Sequence, residues 1–259
     1  MQQYLLNLMP TSMFIALVCC VLIITGLAIY ALIDKGLKNF KKRDNNGFLI
    51  SVASIVSASY AFLLGFVIVS LWQTNKEAEH VTDFESYQLR FILNDCPALK
   101  SVEGEIRKGI RDYVSTVVNE EWDLMRVSQS SEAVMPIIRK MLDTLKQYEP
   151  KTEVERTFYK EIVTKANKLI EYRARRLELS KSSLIDQLRF MMIMGALFIL
   201  SLVALIESES KSIHRLGIVV ISCVIGFNLG LAFCIDYPFS GDIAVKSYPF
   251  KHEELAEFS

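Results

Sequence analysis

Paired carboxylates are the first residues in this chain that could do chemistry. Glu120 and Glu121 stand side by side in the sequence YVSTVVNEEW, which ends at Trp122. Two carboxyl groups serve as general acid and base only when both face one substrate, and neighbouring helical residues point about 100° apart. The sequence places no nucleophile motif or Gly-rich loop beside them. We therefore expect an ion pair with Arg173 or Arg176 across a helical bundle, and we do not expect an enzyme.

Histidine and cysteine spacing predicts neither a metal site nor a disulfide framework. The three histidines, His80, His214 and His252, are far apart in sequence, and no two of the five cysteines form a CxxC pair. Metal ligands must converge at about 2 Å from the ion, which no local spacing here supplies. The 29 basic and 29 acidic residues cancel, so no basic excess favours nucleic acid. We expect no metal, no cofactor and no nucleic acid.

Two polar side chains lie in, or directly after, an apolar stretch in the second half of the chain. Asn228 lies in the middle of one stretch, where its amide needs a partner or water. It is a candidate pore-lining group, and a hydrogen bond to another helix is an equally good interpretation. Asp236 follows the stretch, just before Pro238, which ends a helix. Capping of that turn is its expected role, with cation attraction or pairing to a basic residue as the alternative.

Four uncharged, mostly apolar segments are long enough to cross a bilayer as helices. We call them spans one to four, and they cover residues 13–33, 48–72, 190–206 and 216–235. The second would be about 37 Å long as a helix, against a hydrocarbon core of about 30 Å. Span one is predicted to be retained and not cleaved as a signal peptide, because no Lys or Arg precedes it.

Small residues recur every fourth position on two spans, a pattern that lets helices approach closely. They are Ala53, Ser57, Ala61 and Gly65 on span two, and Ser222, Gly226, Gly230 and Cys234 on span four. For span four we expect ordinary packing within one subunit; the alternative is a pore helix packed on span two. Phe66, beside Gly65, could form a hydrophobic constriction, or it could simply face lipid or core.

Residues 73–189 have a helical pattern throughout. Ile106, Ile110, Tyr113 and Val114 form an apolar stripe at three-four spacing. Pro97, the stretch 128–131 and Pro150 divide the segment into about four helices, the last opened by a Thr152–Glu155 capping box. The outer two helices are expected to be continuous with spans two and three. The predicted fold is all-α, with residues 1–72 holding spans one and two, 73–189 a four-helix extramembrane unit, 190–235 spans three and four, and 236–259 a tail.

The distribution of Lys and Arg predicts the orientation. The two short loops, between spans one and two and between spans three and four, carry five and two of them. The tail before span one carries none, and the tail after residue 235 carries two. The positive-inside rule places both short loops in the cytoplasm, and the termini and residues 73–189 outside. The expected location is the cytoplasmic (inner) membrane, with the lipid bilayer as a partner.

Several motifs, in the same order along the chain, resemble the bestrophin-like family of membrane proteins, which are mainly bacterial and uncharacterised. They comprise YAFLLGFVIVSLW (60–72), Ala78, Val81, Glu85, YVSTVVNEEW (113–122) with Glu121 and Trp122, Arg173, Arg176, Leu177, and the closing Asp236, Pro238, Phe239, Ser240 and Gly241. The likeness covers about residues 48–250. The sequence SLIDQL (183–188) departs from it, because the family tends to have Leu-Pro followed by Trp there. The family's name implies a distant likeness to the bestrophin anion channels.

Two functional hypotheses follow. The first is a homo-oligomeric channel that passes inorganic anions along span two; its pore or gate candidates are Ser57, Ala61, Gly65, Phe66 and Asn228. The second is a non-conducting scaffold or sensor whose extramembrane bundle binds a ligand or a protein partner. Serines in the first half of span two favour conduction, whereas its apolar second half favours a closed gate or no pore.

Overall fold

The computed structural model describes residues 2–36 and 46–258, and within those ranges it contains helices and no strand. The helices are α1 (Gln2–Leu8), α2 (Thr11–Gly36), α3 (Asn46–Asp95), α4 (Glu103–Thr116), α5 (Trp122–Met125), α6 (Val134–Gln147), α7 (Glu153–Leu179), α8 (Asp186–Leu205) and α9 (Lys211–Ile235). The all-α prediction is confirmed. Most of the basic loop after span one, with the first Asn of its predicted turn, lies outside the described residues.

Four of these helices are long and apolar enough to cross a membrane, as predicted: α2, α3, α8 and α9. The transmembrane unit comprises Met1–Gln73, Ser182–Asp236 and Gly241–Ile243. Its core includes Leu64, Val67, Met192, Leu200 and Leu229. Tyr60 fastens span two to span three, because its hydroxyl donates to the Met192 carbonyl at 2.8 Å. Its ring lies over Gly195, where an added Cβ would come within 2.6 Å of it.

The helical unit shares a continuous helix with span two but not with span three. Helix α3 runs for 50 residues, from the start of span two past Trp72 to Asp95, as the lack of Pro and Gly after Trp72 predicts. Helix α7, by contrast, ends at Leu179, and α8 begins six residues after Ser180, at Asp186. The expectation that the last bundle helix continues into span three is therefore wrong. Hydrogen bonds from the Ser183 and Leu184 amides to Asp236 stabilise this break.

The helical unit comprises Thr74–Lys181, Tyr237–Ser240 and Ala244–Ser259. Its core is lined by the predicted stripe, since Ile106, Ile110 and Val114 are fully buried. Pro97 lies in a short 3-10 turn (Cys96–Ala98) that separates α3 from α4. The Thr152 hydroxyl accepts from the Glu155 amide at 3.1 Å, which caps the start of α7.

Residues after span four contribute to the core of the helical unit. Phe250 and Leu255 are fully buried in its main cluster. The Trp122 indole Nε1 donates to the Val245 carbonyl at 3.3 Å, and the Trp122 and Phe250 rings meet edge to face at 5.9 Å between centroids. The buried residues of the segment that the sequence presents as a tail, Val245, Phe250, Leu255 and Phe258, thus pack against the helices.

Cys96 illustrates how fully this core is closed, because its side chain has no solvent exposure. We predict that Cys96 stays unmodified by soluble thiol reagents in the native protein, on either side of a membrane, and becomes reactive only after denaturation. Labelling followed by mass spectrometry would check this. A Val154→Cys variant is the positive control, because Val154 is 64% exposed at the start of α7. Labelling of Cys96 as fast as the thiol introduced by Val154→Cys would contradict the buried position.

Candidate functional site

The line of small residues on span two becomes more exposed along the helix. Ala53 is buried and Ser57 is half-buried, whereas Ala61 and Gly65 are exposed in the single chain. A Cβ built on Gly65 meets no atom of the described residues within 4 Å. The second half of this line is therefore free of contact with the other spans of the same chain.

A groove of about 460 Å³ lies beside this line, between spans two, three and four. Ser57, Ala61 and Gly65 line one wall, and Val224 and Asn228 of span four line another. The Asn228 Nδ2 donates to the Val224 carbonyl at 2.8 Å, one turn earlier on its own helix. Asn228 thus lines the groove, and this hydrogen bond lies within its own helix and not between helices. Its pore-lining role stays a prediction.

Aromatic side chains occupy the outward face of span two. Phe62 and Phe66 are 80% and 69% exposed, and their spacing of four residues places both rings on one face. In the first half of the span, the Ser51 and Ser54 hydroxyls donate to the Gly47 and Ile50 carbonyls at 2.9 and 2.8 Å. Their oxygens remain as weak polar groups on an otherwise apolar surface.

The small residues of span four contact span one. A Cβ on Gly226 would lie 2.8 Å from the Cys19 Cα, and one on Gly230 would lie 3.1 Å from the Ile15 Cα. Ser222 faces Gly26 in the same row. This is backbone-to-backbone packing within one subunit, the role expected for this row. The alternative, in which these residues pack on span two, is not what the structure shows for them.

A buried charge cluster occupies the centre of the helical unit. Its members are Glu85 on α3, Tyr113 on α4, Glu121 at the end of a π-helical turn (Val117–Glu121), and Arg173 and Arg176 on α7. Glu85, Glu121 and Arg176 have no solvent exposure, and Arg173 has 6%. Two positive and two negative side chains balance, which is the condition under which buried charges are tolerated.

Arg176 connects the two carboxylates of the charge cluster. Its Nε donates to Glu85 at 2.6 Å, and its Nη2 donates to Glu85 at 2.9 Å and to Glu121 at 2.8 Å. Burial disfavours its charge, but the Glu85 carboxylate together with Tyr113 and Glu121 outweighs this and raises the pKa of Arg176. The guanidinium also lies 5.2 Å from the Trp122 ring centroid, a cation–π distance.

The remaining contacts saturate the two acids. Arg173 donates to Glu121 through Nε at 3.2 Å and also through Nη2. The Tyr113 hydroxyl donates to Glu85 at 2.5 Å. Burial and then the Glu85 charge raise the pKa of Tyr113 well above 10, so the phenol keeps its proton at neutral pH. Glu120 points elsewhere and accepts from the Ser131 hydroxyl at 2.7 Å. The adjacent carboxylates thus do not converge on a substrate.

Asp236 forms a second saturated site, in the transmembrane unit. It is fully buried and accepts from the Ser183 and Leu184 amides at 3.0 and 2.8 Å. The Ser182 hydroxyl donates to it at 2.9 Å, and Arg189 Nη2 donates at 2.8 Å. Asp236 therefore joins the end of span four to the start of span three. The pairing with a basic residue, considered as the alternative for it, is present, whereas the backbone amides that it accepts from belong to the segment before span three and not to its own turn. These bonds occupy the segment where the sequence departs from the resemblance.

Comparison with known proteins identifies the family. The model of the bestrophin-like domain matches residues 20–250. The chain belongs to the bestrophin-like family. The matched range contains span two, the charge cluster and Asp236, so all three sites lie within the bestrophin-like domain. Searches of curated proteins and of solved structures gave no match.

Several residues of these bestrophin-like sites escape prediction from sequence. Tyr113 looks like one more apolar-stripe position, and nothing local predicts its bond to Glu85 across 28 residues. Ser182 and Arg189 look like ordinary polar residues ahead of span three. The position of Arg189 gave one usable signal for its ion pair. It lies within one turn of an uncharged span, where a basic side chain commonly pairs with a buried acid. Among the described residues, no three His, Cys, Asp or Glu side chains cluster as metal ligands would.

Proposed function

We propose that this bestrophin-like chain forms a homo-oligomeric channel that conducts anions along a path lined by span two. The observation that carries the proposal is the outward face of span two, which is uncharged and exposed in the single chain. Further copies packed against this face would enclose a path beside it. Family membership supports the proposal, since the name refers to the bestrophin anion channels.

The order of side chains along span two suits a gated path. Serine side chains come first, and with their hydroxyl protons donated to backbone carbonyls they are only weak polar groups beside the path. Phe62 and Phe66 follow, and a ring of such phenyl groups narrows a pore and gates it by dewetting. The edges of these rings carry partial positive charge, which favours anions over cations.

A second candidate function has its own observation. The helical unit carries an open polar cleft of about 570 Å³, lined by Lys100, Glu105, Tyr148, Lys151 and Glu155 among others. Charges of both signs in one cleft suit a small ligand that itself carries both. In that case the chain is a membrane-anchored sensor, and the spans serve as its anchor.

Ion flux through purified protein in liposomes tests the channel. We expect Phe66→Ala to raise anion flux about tenfold, which corresponds to about 1.4 kcal/mol of barrier removed at the constriction. Gly65→Leu should lower flux, because it fills the open side of the helix that a second copy needs. Phe198→Ala is the matched control, because Phe198 is 61% exposed on span three. Equal effects of Phe66→Ala and Phe198→Ala would refute the gate, and no flux from folded oligomers of any variant would favour the sensor.

We also propose the predicted orientation for this multi-pass membrane protein: the cytoplasmic membrane, with the short loops inside and the termini and helical unit outside. The positive-inside rule supports this orientation. Because Cys96 is buried, the reporter should be the Val154→Cys variant. Its labelling in intact cells by a membrane-impermeant thiol reagent is the expected result, and labelling only after lysis would reverse the orientation.

A further inference from the structure

A row of aromatic side chains lies on the surface of the helical unit. His80, Phe84, Tyr87 and Phe91 recur on α3 at spacings of four, three and four residues, so they share one helix face. Tyr172 of α7 stacks on Phe84, with 5.6 Å between ring centroids and 18° between planes. We call these five residues the aromatic face.

The aromatic face is exposed although it is held in place. Phe84 and Tyr87 are 46% and 45% exposed. Tyr87 and Phe91 meet edge to face at 4.5 Å, Arg90 lies 5.5 Å from the Tyr87 centroid, and Lys165 lies 4.5 Å from the Phe91 centroid. Rings fixed by such contacts lose little side-chain entropy when a partner covers them. Aromatic residues together with Arg are also the composition that distinguishes protein interfaces from other surface.

The charges around the aromatic face indicate what kind of partner covers it. Asp83 lies among them, close enough to His80 and Arg90 to interact electrostatically with both. Acidic and basic groups therefore alternate with the rings, whereas a surface for anionic lipid headgroups carries an excess of Lys and Arg. A protein surface of mixed charge fits this pattern better, and a second copy of this chain supplies one.

The position of the aromatic face on α3 favours a second copy over another protein. The proposed channel assembles copies around span two, which is the first part of the same helix. In the sequence, the three-four spacing of the face also extends back to Phe62, Phe66 and Val69. We propose that the aromatic face is a contact between copies of this chain in the oligomer. The inference rests on the assembly in the proposed function, but not on conduction.

Cross-linking in native membranes tests the contact. A Tyr87→Cys variant treated with a short bifunctional maleimide should give covalent dimers. A Val154→Cys variant, exposed elsewhere on the same unit, should stay monomeric under the same treatment. Dimer yields that are equal for the two variants would overturn the proposal. So would protection of the thiol introduced by Tyr87→Cys from a soluble reagent without cross-linking, because a lipid or a different protein would then cover the face.

A second variant measures the contribution to assembly. Phe84→Ser combined with Tyr87→Ser should weaken the oligomer in detergent about tenfold or more, as measured by sedimentation, since aromatic anchors dominate interface energetics. Val127→Ser combined with Val154→Ser is the control, because both positions are exposed away from the aromatic face. Unchanged assembly of the first variant would overturn the proposal. Cross-linking without flux would support the contact between copies and refute the channel. Flux without cross-linking would support the channel and refute the contact.

Discussion

Arg176→Met should unfold the helical unit at temperatures where the wild type is stable. The change leaves the Glu85 and Glu121 carboxylates buried, with Glu85 keeping only its bond from Tyr113 and Glu121 its pair with Arg173. Removing one partner of a buried ion pair costs about 3–5 kcal/mol, against a net stability of about 5–15 kcal/mol for a domain. Thermal melting of the purified full-length protein in detergent, followed by circular dichroism or limited proteolysis, measures the effect.

The neighbouring arginine provides the control. Arg175 has the same side chain and pairs with Glu77 and Glu178, but its side chain is 42% exposed. Exposed pairs contribute at most about 1 kcal/mol, so Arg175→Met should melt close to the wild type. Adding Glu85→Gln to Arg176→Met should recover part of the loss, because the amide needs no counter-charge. If Arg176→Met alone melted like Arg175→Met, the charge cluster would not hold the unit together.

Gly226→Leu should separate span one from span four. Its Cβ would sit 2.8 Å from the Cys19 Cα, and a backbone atom cannot move aside as the tip of a side chain can. Overpacking of this kind costs about 1–3 kcal/mol or more. We expect a lower yield of folded protein and faster aggregation on heating in detergent, which size-exclusion chromatography after a temperature series would measure.

Gly217→Leu is the matched control on the same helix. A Cβ at Gly217 meets no atom of the described residues within 4 Å, so the larger side chain has room. It should leave the elution profile unchanged or improve it slightly, since Leu favours helix more than Gly does. Equal loss in both variants would mean that helix propensity or insertion, and not the contact with span one, decides the outcome.

The elements of this fold that depend on local pattern could be predicted from the sequence. Span number follows from length and lack of charge, and the buried positions of α4 follow from three-four spacing. Spacing also predicts which face of span four packs closely. It does not identify the partner, because a row of small residues fits any helix, and here the partner is span one.

The pairing of Glu121 with Arg173 and Arg176 was predicted, but other contacts that join distant parts of the chain were not. The break before α8 depends on Asp236, which is 53 residues from Ser183 and binds its amide. The Glu85–Arg176 pair spans 91 residues. Nothing in the local sequence distinguishes Arg176 from other basic residues as the partner of Glu85. The π-helical turn that ends at Glu121 has no sequence signature of its own. Long-range pairing is set by the whole packing arrangement, and local periodicity does not encode it.

The burial of Phe250 and Leu255 has a consequence for how the protein is made. These residues are translated after span four, yet they fill the core around helices that left the ribosome much earlier. The helical unit must therefore wait, with part of its core open to water, until Phe250 and Leu255 have been synthesised. During this interval the growing chain is most exposed to proteases and dependent on chaperones. A stop codon before Phe250 would prolong that state indefinitely.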